Sequence, residues 1–393
     1  MSDGMSTRAV HGGGHERTPG EPVAPAVIQS STFLTKPDGS STVRYSREGN
    51  NPAQERLERL LAGLEGAEDA VVVGSGMAAI ALTALAVTRQ GDRIVASRDL
   101  YGNTRKLFQD ELPRRGVDVV LVDPHDPSAW WAAADARTRA LYLEMPTNPT
   151  LRIPDPEPVV RLGRERGVPV LADVTFASPV NLRPAELGIS ASIHSATKYL
   201  GGHSDLVAGV VSGPRDLMEE VRRGLRLYGA VLDPHALWML ERSLRTLTLR
   251  VERQNRNAAH LAEVMEGRAG VRSVVHPGRE SHPDHARAQE LMDGYGGMLG
   301  VILEGGGPAA DRFMEEVRLA LSAPSLGGVE TLVSQPRHTS HRHMSREART
   351  EQGIPDGFVR VSVGVEDPGD LERDFVQALE ATLQGETEVQ SPG

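Results

Sequence analysis

Lys198 is one of only three lysines in a chain of 393 residues, with Lys36 and Lys106, against forty arginines. It lies in HSATKYLGGHSD (194–205). An arginine would supply charge there equally well. Only an amine with an accessible neutral form can attack a carbonyl and form a Schiff base. Ser195 and Thr197 flank it with hydroxyls suited to phosphate oxygens. Taken alone the segment fits a buried salt-bridging lysine as well, because a short motif acquires meaning from its context.

Two further segments supply that context. VPVLADVTFASPV (168–180) reads as a buried strand ending in Asp173, and open α/β sheets place ligand contacts at the carboxyl ends of their strands. An aspartate there can pair with a protonated pyridine nitrogen and keep pyridoxal phosphate acting as an electron sink. VVVGSGMAA (71–79) passes from a strand through Gly74, Ser75 and Gly76 into a helix, and backbone N–H groups at such a helix start can cradle a phosphate.

The elements that must position these groups follow from the pattern of apolar residues. Residues 1–55 are rich in Gly, Pro, Ser and Thr and read as an extended arm. Over 56–250, short apolar strands (VVV, RIVAS, DVVLV, ALYLE, VPVLAD, SDLVAGVVS) alternate with helix-like stretches, which implies a mostly parallel sheet covered on both faces. An arginine-laced stretch near 234–267 reads as helical and leads into a smaller α+β domain, 251–393, whose tail from 385 reads as disordered. Ala70 to Val87 carries no charge over eighteen residues, but Gly74-Ser75-Gly76 divides it into a strand and a helix rather than a membrane span. In FVRVSVGVED, Val359, Val361, Val363 and Val365 fall on one side of a strand and Arg360, Ser362 and Gly364 on the other. That pattern fits a surface arginine, and a planar guanidinium also suits bidentate capture of a carboxylate.

Net charge −10 argues against nucleic acid or an anionic membrane as the main partner. With no cysteine there is no disulfide framework and no thiolate metal site. The first twenty residues lack the apolar core of a signal peptide, and the expected location is the cytoplasm.

YSRE-x-x-NP (45–52), SGMAA (75–79), YGNT (101–104), EMPTNP (144–149), DVTFASP (173–179), SATKYLGGHSD (195–205) and SLGGVETL (325–332) occur in this order. On these segments the chain resembles the Cys/Met-metabolism group of pyridoxal phosphate enzymes, the family of cystathionine γ-synthase, cystathionine γ-lyase and methionine γ-lyase. The resemblance implies the fold-type I transferase architecture, a mostly parallel seven-stranded sheet with a smaller C-terminal α+β domain. It implies that Lys198 forms the Schiff base and shuttles protons, and that Asp173 holds the pyridine nitrogen. Ser195, Thr197, Gly76 and Met77 would bind the phosphate. Tyr101 would stack on the ring and serve as acid–base near the leaving group. Glu144 and Asn148 would sit beside the ring hydroxyl, and Arg360 would grip the substrate carboxylate, with Ser325 and Asn103 in the substrate pocket. Tyr45 and Arg47 would reach the phosphate of a neighbouring subunit, making the protein at least a homodimer and, by the family pattern, a homotetramer. The implied reaction is γ-elimination or γ-replacement on an L-amino acid, with methionine γ-lyase or O-acetylhomoserine sulfhydrylase-like activity as the alternative.

Departures from that pattern concern the substrate. Asn103 stands where methionine γ-lyases usually carry a cysteine, and Pro324 where cystathionine-handling enzymes often carry a glutamate. Val174 replaces a polar residue, and Asn50 or Asn51 is one residue more than the family's segment holds. These point to an unusual leaving group, such as an ester or a halide. Two rival readings belong to other classes. His338, His341 and His343 could serve a metal-dependent hydrolase, although the arginines between them oppose a cation. A non-catalytic pyridoxal phosphate fold is opposed by the intact set of Lys198, Asp173, Tyr101 and Arg360.

Overall fold

The computed structural model of the protein describes residues 4–14, 19–20 and 22–390, the last five of these by their backbone only. The chain divides into two units, Met1–Met145 with Pro154–Thr248, and Pro146–Ile153 with Leu249–Gly393.

The first unit is built on seven strands: β1 (Asp69–Val73), β2 (Arg93–Ser97), β3 (Asp118–Val122), β4 (Thr138–Glu144), β5 (Val170–Asp173), β6 (Ala191–Ser195) and β7 (Gly209–Gly213). Their order is β1-β7-β6-β5-β4-β2-β3. Strand β7 runs antiparallel to both neighbours and all other pairs are parallel. Buried β-branched and aliphatic side chains such as Val71, Ile94, Leu171 and Ile193 pack beneath the uncharged helix Gly76–Val87 and the amphipathic helix Arg215–Tyr228. The helix Pro52–Glu65 starts on Asn51, which accepts from the Ala53 amide, with proline in the first turn, and ends on Gly66 at φ 68°. Each is a standard start or stop signal. The arm is not wholly extended, since Met5–His11 is helical. The stretch expected as one long helix is two, Pro234–Leu244 and Leu247–Met265. Among the described residues no helix is long and apolar enough to cross a membrane.

The second unit carries β8 (Val271–Val275), β9 (Met298–Leu303), β10 (Leu321–Ser322), β11 (Leu332–Ser334) and β12 (Phe358–Ser362), in the order β10-β11-β12-β9-β8. Val359, Val361 and Val363 enter a core with Phe313 and Phe375, whose rings meet edge to face at 5.7 Å. The opposite face of β12 is also covered, by Ile302 and Ile354 around Phe358. Arg360 is therefore not the surface arginine its alternating strand suggested, being only 6 % exposed. The tail expected to be disordered is helical as far as Gln390, within Pro368–Gln390. Residues 391–393 lie outside the described residues.

His276 follows β8, fully buried, its Nδ1 accepting from the Gly278 amide at 3.1 Å and its ring edge-on to Tyr295. Burial pulls its pKa from 6.5 down to about 4; His282, Arg279 and His285 add to the effect and the Gly296 backbone opposes it. The folded chain thus binds fewer protons here than the unfolded chain. The stability that neutral His276 secures is complete above about pH 6.5 and is lost as pH falls toward 4, on the order of 3 kcal/mol in all. Glu58 in the first unit, pushed up to about 7 by burial, acts with the opposite sign, so the informative quantity is a difference between proteins. Asparagine can keep the Gly278 contact without titrating. The unfolding midpoint of His276→Asn minus that of the parent should therefore rise as pH falls from 6.5 to 4, and parallel profiles would show that His276 does not carry the linkage.

Candidate active site

Strands β5 and β6 are parallel neighbours, so the sequence turns that follow them emerge side by side. Asp173 closes β5, and its Oδ1 accepts from the Thr175 amide at 3.0 Å and the Thr175 hydroxyl at 2.6 Å. The same hydroxyl accepts from the Ser195 amide, at the end of β6, at 2.9 Å. Burial pushes the Asp173 carboxyl up, while the two Thr175 hydrogen bonds and the His194 imidazole pull it back. His194 is itself held by Glu65, at 2.7 Å, in a fully buried contact. A carboxylate in this setting gains from a cationic partner, which a protonated pyridine nitrogen supplies.

At the other end of Ser195 the helix Gly76–Val87 begins. A Cβ on Gly76 would lie 2.7 Å from Ser195 Cβ and 2.9 Å from its Cα, so only glycine allows this approach. Ser75 caps the helix by accepting from the Ala78 amide at 3.1 Å. The first amides of a helix lack partners within it, and this helix begins at Gly76 against Ser195, an arrangement suited to phosphate. Thr197 is differently engaged. Its hydroxyl accepts from the Ala208 amide at 3.1 Å and approaches the Ala208 carbonyl at 3.3 Å, stitching the Lys198 turn to the start of β7. The turn is tight: the Lys198 amide donates to Ser195 O at 3.1 Å and the Gly202 amide to Lys198 O at 2.7 Å. Lys198 is half-buried.

Glu144 ends β4 in register with Asp173. Its Oε2 accepts from the Tyr101 amide at 2.6 Å, so Glu144 fixes the backbone of Tyr101. The phenol of Tyr101 accepts from Asn103 Nδ2 at 3.2 Å. In the arm, Arg47 stacks its guanidinium 5.4 Å from the Tyr45 ring centroid, pairs with Glu48 and donates to Arg226 O at 3.0 Å. The two neighbouring asparagines do separate work. Asn50 closes the 43–50 turn, accepting from the Tyr45 amide at 2.8 Å and donating to Val43 O at 3.0 Å. Asn51 caps the next helix and donates to Ile28 O at 3.0 Å.

The second unit holds the remaining residues. Arg360 Nη1 donates to Asn148 Oδ1 at 3.1 Å and Nη2 to Ser325 O at 2.9 Å. Both acceptors are neutral, so they orient the guanidinium fork without cancelling its charge. Ser325 sits at φ 88°, a left-handed conformation unusual for a side chain other than glycine. The Asn148-Pro149 peptide is cis. The three loop histidines take separate partners: His338 lies 3.7 Å from Asp311, His341 contacts Ser340 and His343 accepts from Arg342. Among the described residues no group of three His, Asp or Glu side chains is placed to hold a metal ion.

The first unit thus places Asp173, Ser195, Gly76, Tyr101, Glu144 and the Lys198 turn around the strand ends, and the second places Asn148, Ser325 and Arg360 together. Thr175, which joins Asp173 to Ser195, escaped the sequence reading, although its D-x-T spacing is one in which a hydroxyl folds back on the aspartate.

A family model described as "Cys/Met metabolism PLP-dependent enzyme" matches residues 6–380. The chain belongs to that family of pyridoxal-phosphate-dependent enzymes. It is 39% identical over 342 residues to "Cystathionine gamma-synthase 1, chloroplastic" of Nicotiana tabacum, in an alignment covering 87% of this chain and 63% of the relative. It therefore spans less than two thirds of that plant protein's length. It is 38% identical to "L-methionine gamma-lyase" of Pseudomonas putida, covering 96% of this chain and 98% of the relative. A cystathionine gamma synthase from Xanthomonas oryzae pv. oryzae, solved in complex with aminoacrylate and cysteine, superposes with TM-score 0.93 at 34% identity, covering 98% of this chain and 100% of that one.

Gly76→Ala should displace Ser195 and cost the phosphate a charge-assisted hydrogen bond, weakening cofactor affinity about ten- to hundredfold. Equilibrium dialysis with pyridoxal phosphate checks this, and unchanged affinity would remove Gly76 from the cradle.

Proposed function

We propose that the protein expels a leaving group from Cγ of an L-amino acid, by γ-elimination or γ-replacement. The observation that carries this reading is Tyr101. Its backbone is pinned by Glu144, and its phenol oxygen accepts from Asn103, which leaves the phenolic proton for donation. A positioned proton donor is what a departing basic atom requires.

Pyridoxal phosphate, when bound, supplies the carbonyl that captures the substrate amine and the ring that takes up the electrons of the Cα–H bond. Lys198 would provide the amine for that carbonyl and, once displaced by substrate, would remove the Cα proton and pass it on, then take a proton from Cβ, whose C–H electrons form the bond to Cγ as the Cγ substituent leaves. Asp173, itself held by Thr175, keeps the ring nitrogen protonated. Ser195 and the amides of Gly76 and Met77 hold the phosphate, with Thr197 shaping the turn between them. Arg360, steadied by Asn148 and Ser325, grips the α-carboxylate. Tyr101 protonates the departing group.

The finer reading is that this group is not the usual thiol but an ester or a halide. Asn103 in place of a cysteine and Pro324 in place of a glutamate support it, since neither offers a thiolate or a carboxylate to a distal group. Methionine γ-lyase or O-acetylhomoserine sulfhydrylase-like chemistry is the alternative on the same machinery. The working assembly is at least a homodimer, with Tyr45 and Arg47 reaching the neighbouring phosphate. Tyr45 is 41 % exposed, and Val23, Leu34 and Val43 of the same arm are more exposed still, an apolar surface suited to a second copy. A monomer in sedimentation would remove that part of the reading.

The test is a panel of O-acetyl-, O-succinyl- and O-phosphohomoserine, cystathionine, methionine and a γ-halogenated analogue, with released 2-oxo acid followed with and without cysteine. Turnover of an ester or halide without cysteine means γ-elimination, and turnover only with cysteine means γ-replacement. Preference for methionine favours the alternative, and a folded, cofactor-loaded protein inert toward every member would contradict the proposal.

A further inference from the structure

Asp284 stands at the N-cap of the helix His285–Leu291, where an aspartate ordinarily accepts from the first amides of its own helix, yet it makes no such bond. Its oxygens reach instead to a segment more than a hundred residues earlier in the chain. Oδ2 accepts from Arg152 Nε at 2.6 Å and from the Ile153 amide at 2.9 Å, and Oδ1 accepts from Arg152 Nη2 at 3.2 Å. The Asp284 side chain is 10 % exposed and that of Arg152 33 %, so the carboxylate end of this forked contact is largely shielded from water. A local preference is given up for a distant one, and such conflicts mark positions where function sets the geometry.

The segment that Asp284 holds is stiff. The Thr147 amide donates to Arg152 O at 3.0 Å, the Leu151 amide to Thr147 O at 2.9 Å and the Arg152 amide to Thr147 Oγ1 at 3.1 Å. These bonds tie 147–152 into one piece, so a displacement at Arg152 is passed to Asn148. Asn148 in turn accepts from Arg360, 3.1 Å away. All of these residues belong to the second unit.

We propose that Asp284 is a positioning residue for recognition of the substrate carboxylate. Through Arg152 and the Ile153 amide it fixes the 147–152 loop, and through Asn148 it sets the direction of the Arg360 fork. The proposal rests on the reading of Arg360 as the group that grips the carboxylate. Bidentate capture is sensitive to small misalignments, so a loosened loop weakens ligands that carry a carboxylate and spares those that lack one.

The test uses the cofactor-loaded enzyme and the visible absorbance of its bound cofactor. It is titrated with L-norleucine and with pentylamine, which is the same molecule without its carboxylate. Asp284→Asn should weaken L-norleucine about tenfold and leave pentylamine within about twofold, as expected when a supporting contact is lost and the binding group survives. Arg360→Lys should show a selective loss at least as large. If it does, and Asp284→Asn weakens both ligands equally or neither, the positioning role is overturned while the Arg360 reading stands. If Arg360→Lys is not selective, the underlying reading fails, and the proposal with it. Should Asp284→Asn not fold, Arg152→Gln breaks the same pair from the other side and is judged by the same two ligands.

Discussion

Burying a carboxylate without a cation is costly, and the first unit is arranged around the one at Asp173. A single hydroxyl, that of Thr175, donates to Asp173 and accepts from Ser195. It therefore fixes the distance between the group proposed for the ring nitrogen and the group proposed for the phosphate. Parallel pairing of β5 and β6 brings these two strand ends together. Gly76 then lets a helix start touch Ser195 with no side chain between them. The His194 imidazole in β6, held by Glu65, adds a favourable field at Asp173. Rigid strands, rather than loops, carry the charged end of the site, which is where positional tolerance is smallest.

The second unit solves a different problem, that of keeping a buried arginine charged and aimed. Two of its hydrogen bonds go to an amide oxygen and a backbone carbonyl. A carboxylate on either would satisfy the guanidinium and compete with an acidic ligand. The carbonyl belongs to Ser325, whose left-handed backbone is a local cost borne at the place where Arg360 is held. Gly300 lies opposite Arg360 in β9, and the Phe358 ring occupies the space its missing side chain leaves, 2.4 Å from where a Cβ would be. That packing covers the face from which a surface arginine would otherwise have projected.

The parts of this arrangement legible in the sequence are those whose residue types have few other uses. A lone lysine among arginines, an aspartate closing an apolar run and a glycine at a strand-to-helix turn each have a narrow set of physical roles. Thr175 was not legible because a threonine after a strand is ordinary, and its importance comes from β6, which meets it from another part of the chain. Strand β6 was itself missed. Ser192 and His194 interrupt its apolar pattern, and both are buried by neighbours that local sequence does not contain. The alternation in β12 gave the inward valines but misjudged Arg360, since alternation tells which face a residue is on and not whether that face is covered. Pro146–Ile153 groups with the second unit, where Asp284 and Arg360, far along the chain, bond to it, and no local pattern announces this.

The central claim is that the cofactor is held on Lys198. Reducing the loaded enzyme with borohydride fixes pyridoxal phosphate to whichever lysine carries it, and proteolysis with mass spectrometry then reads the position. With only Lys36, Lys106 and Lys198 as possible side-chain sites, the answer is unambiguous. The account predicts a phosphopyridoxyl group on the peptide containing Lys198 and on no other. A modified Lys36 or Lys106 with Lys198 unmodified, or no adduct on a protein that binds the cofactor, would contradict it.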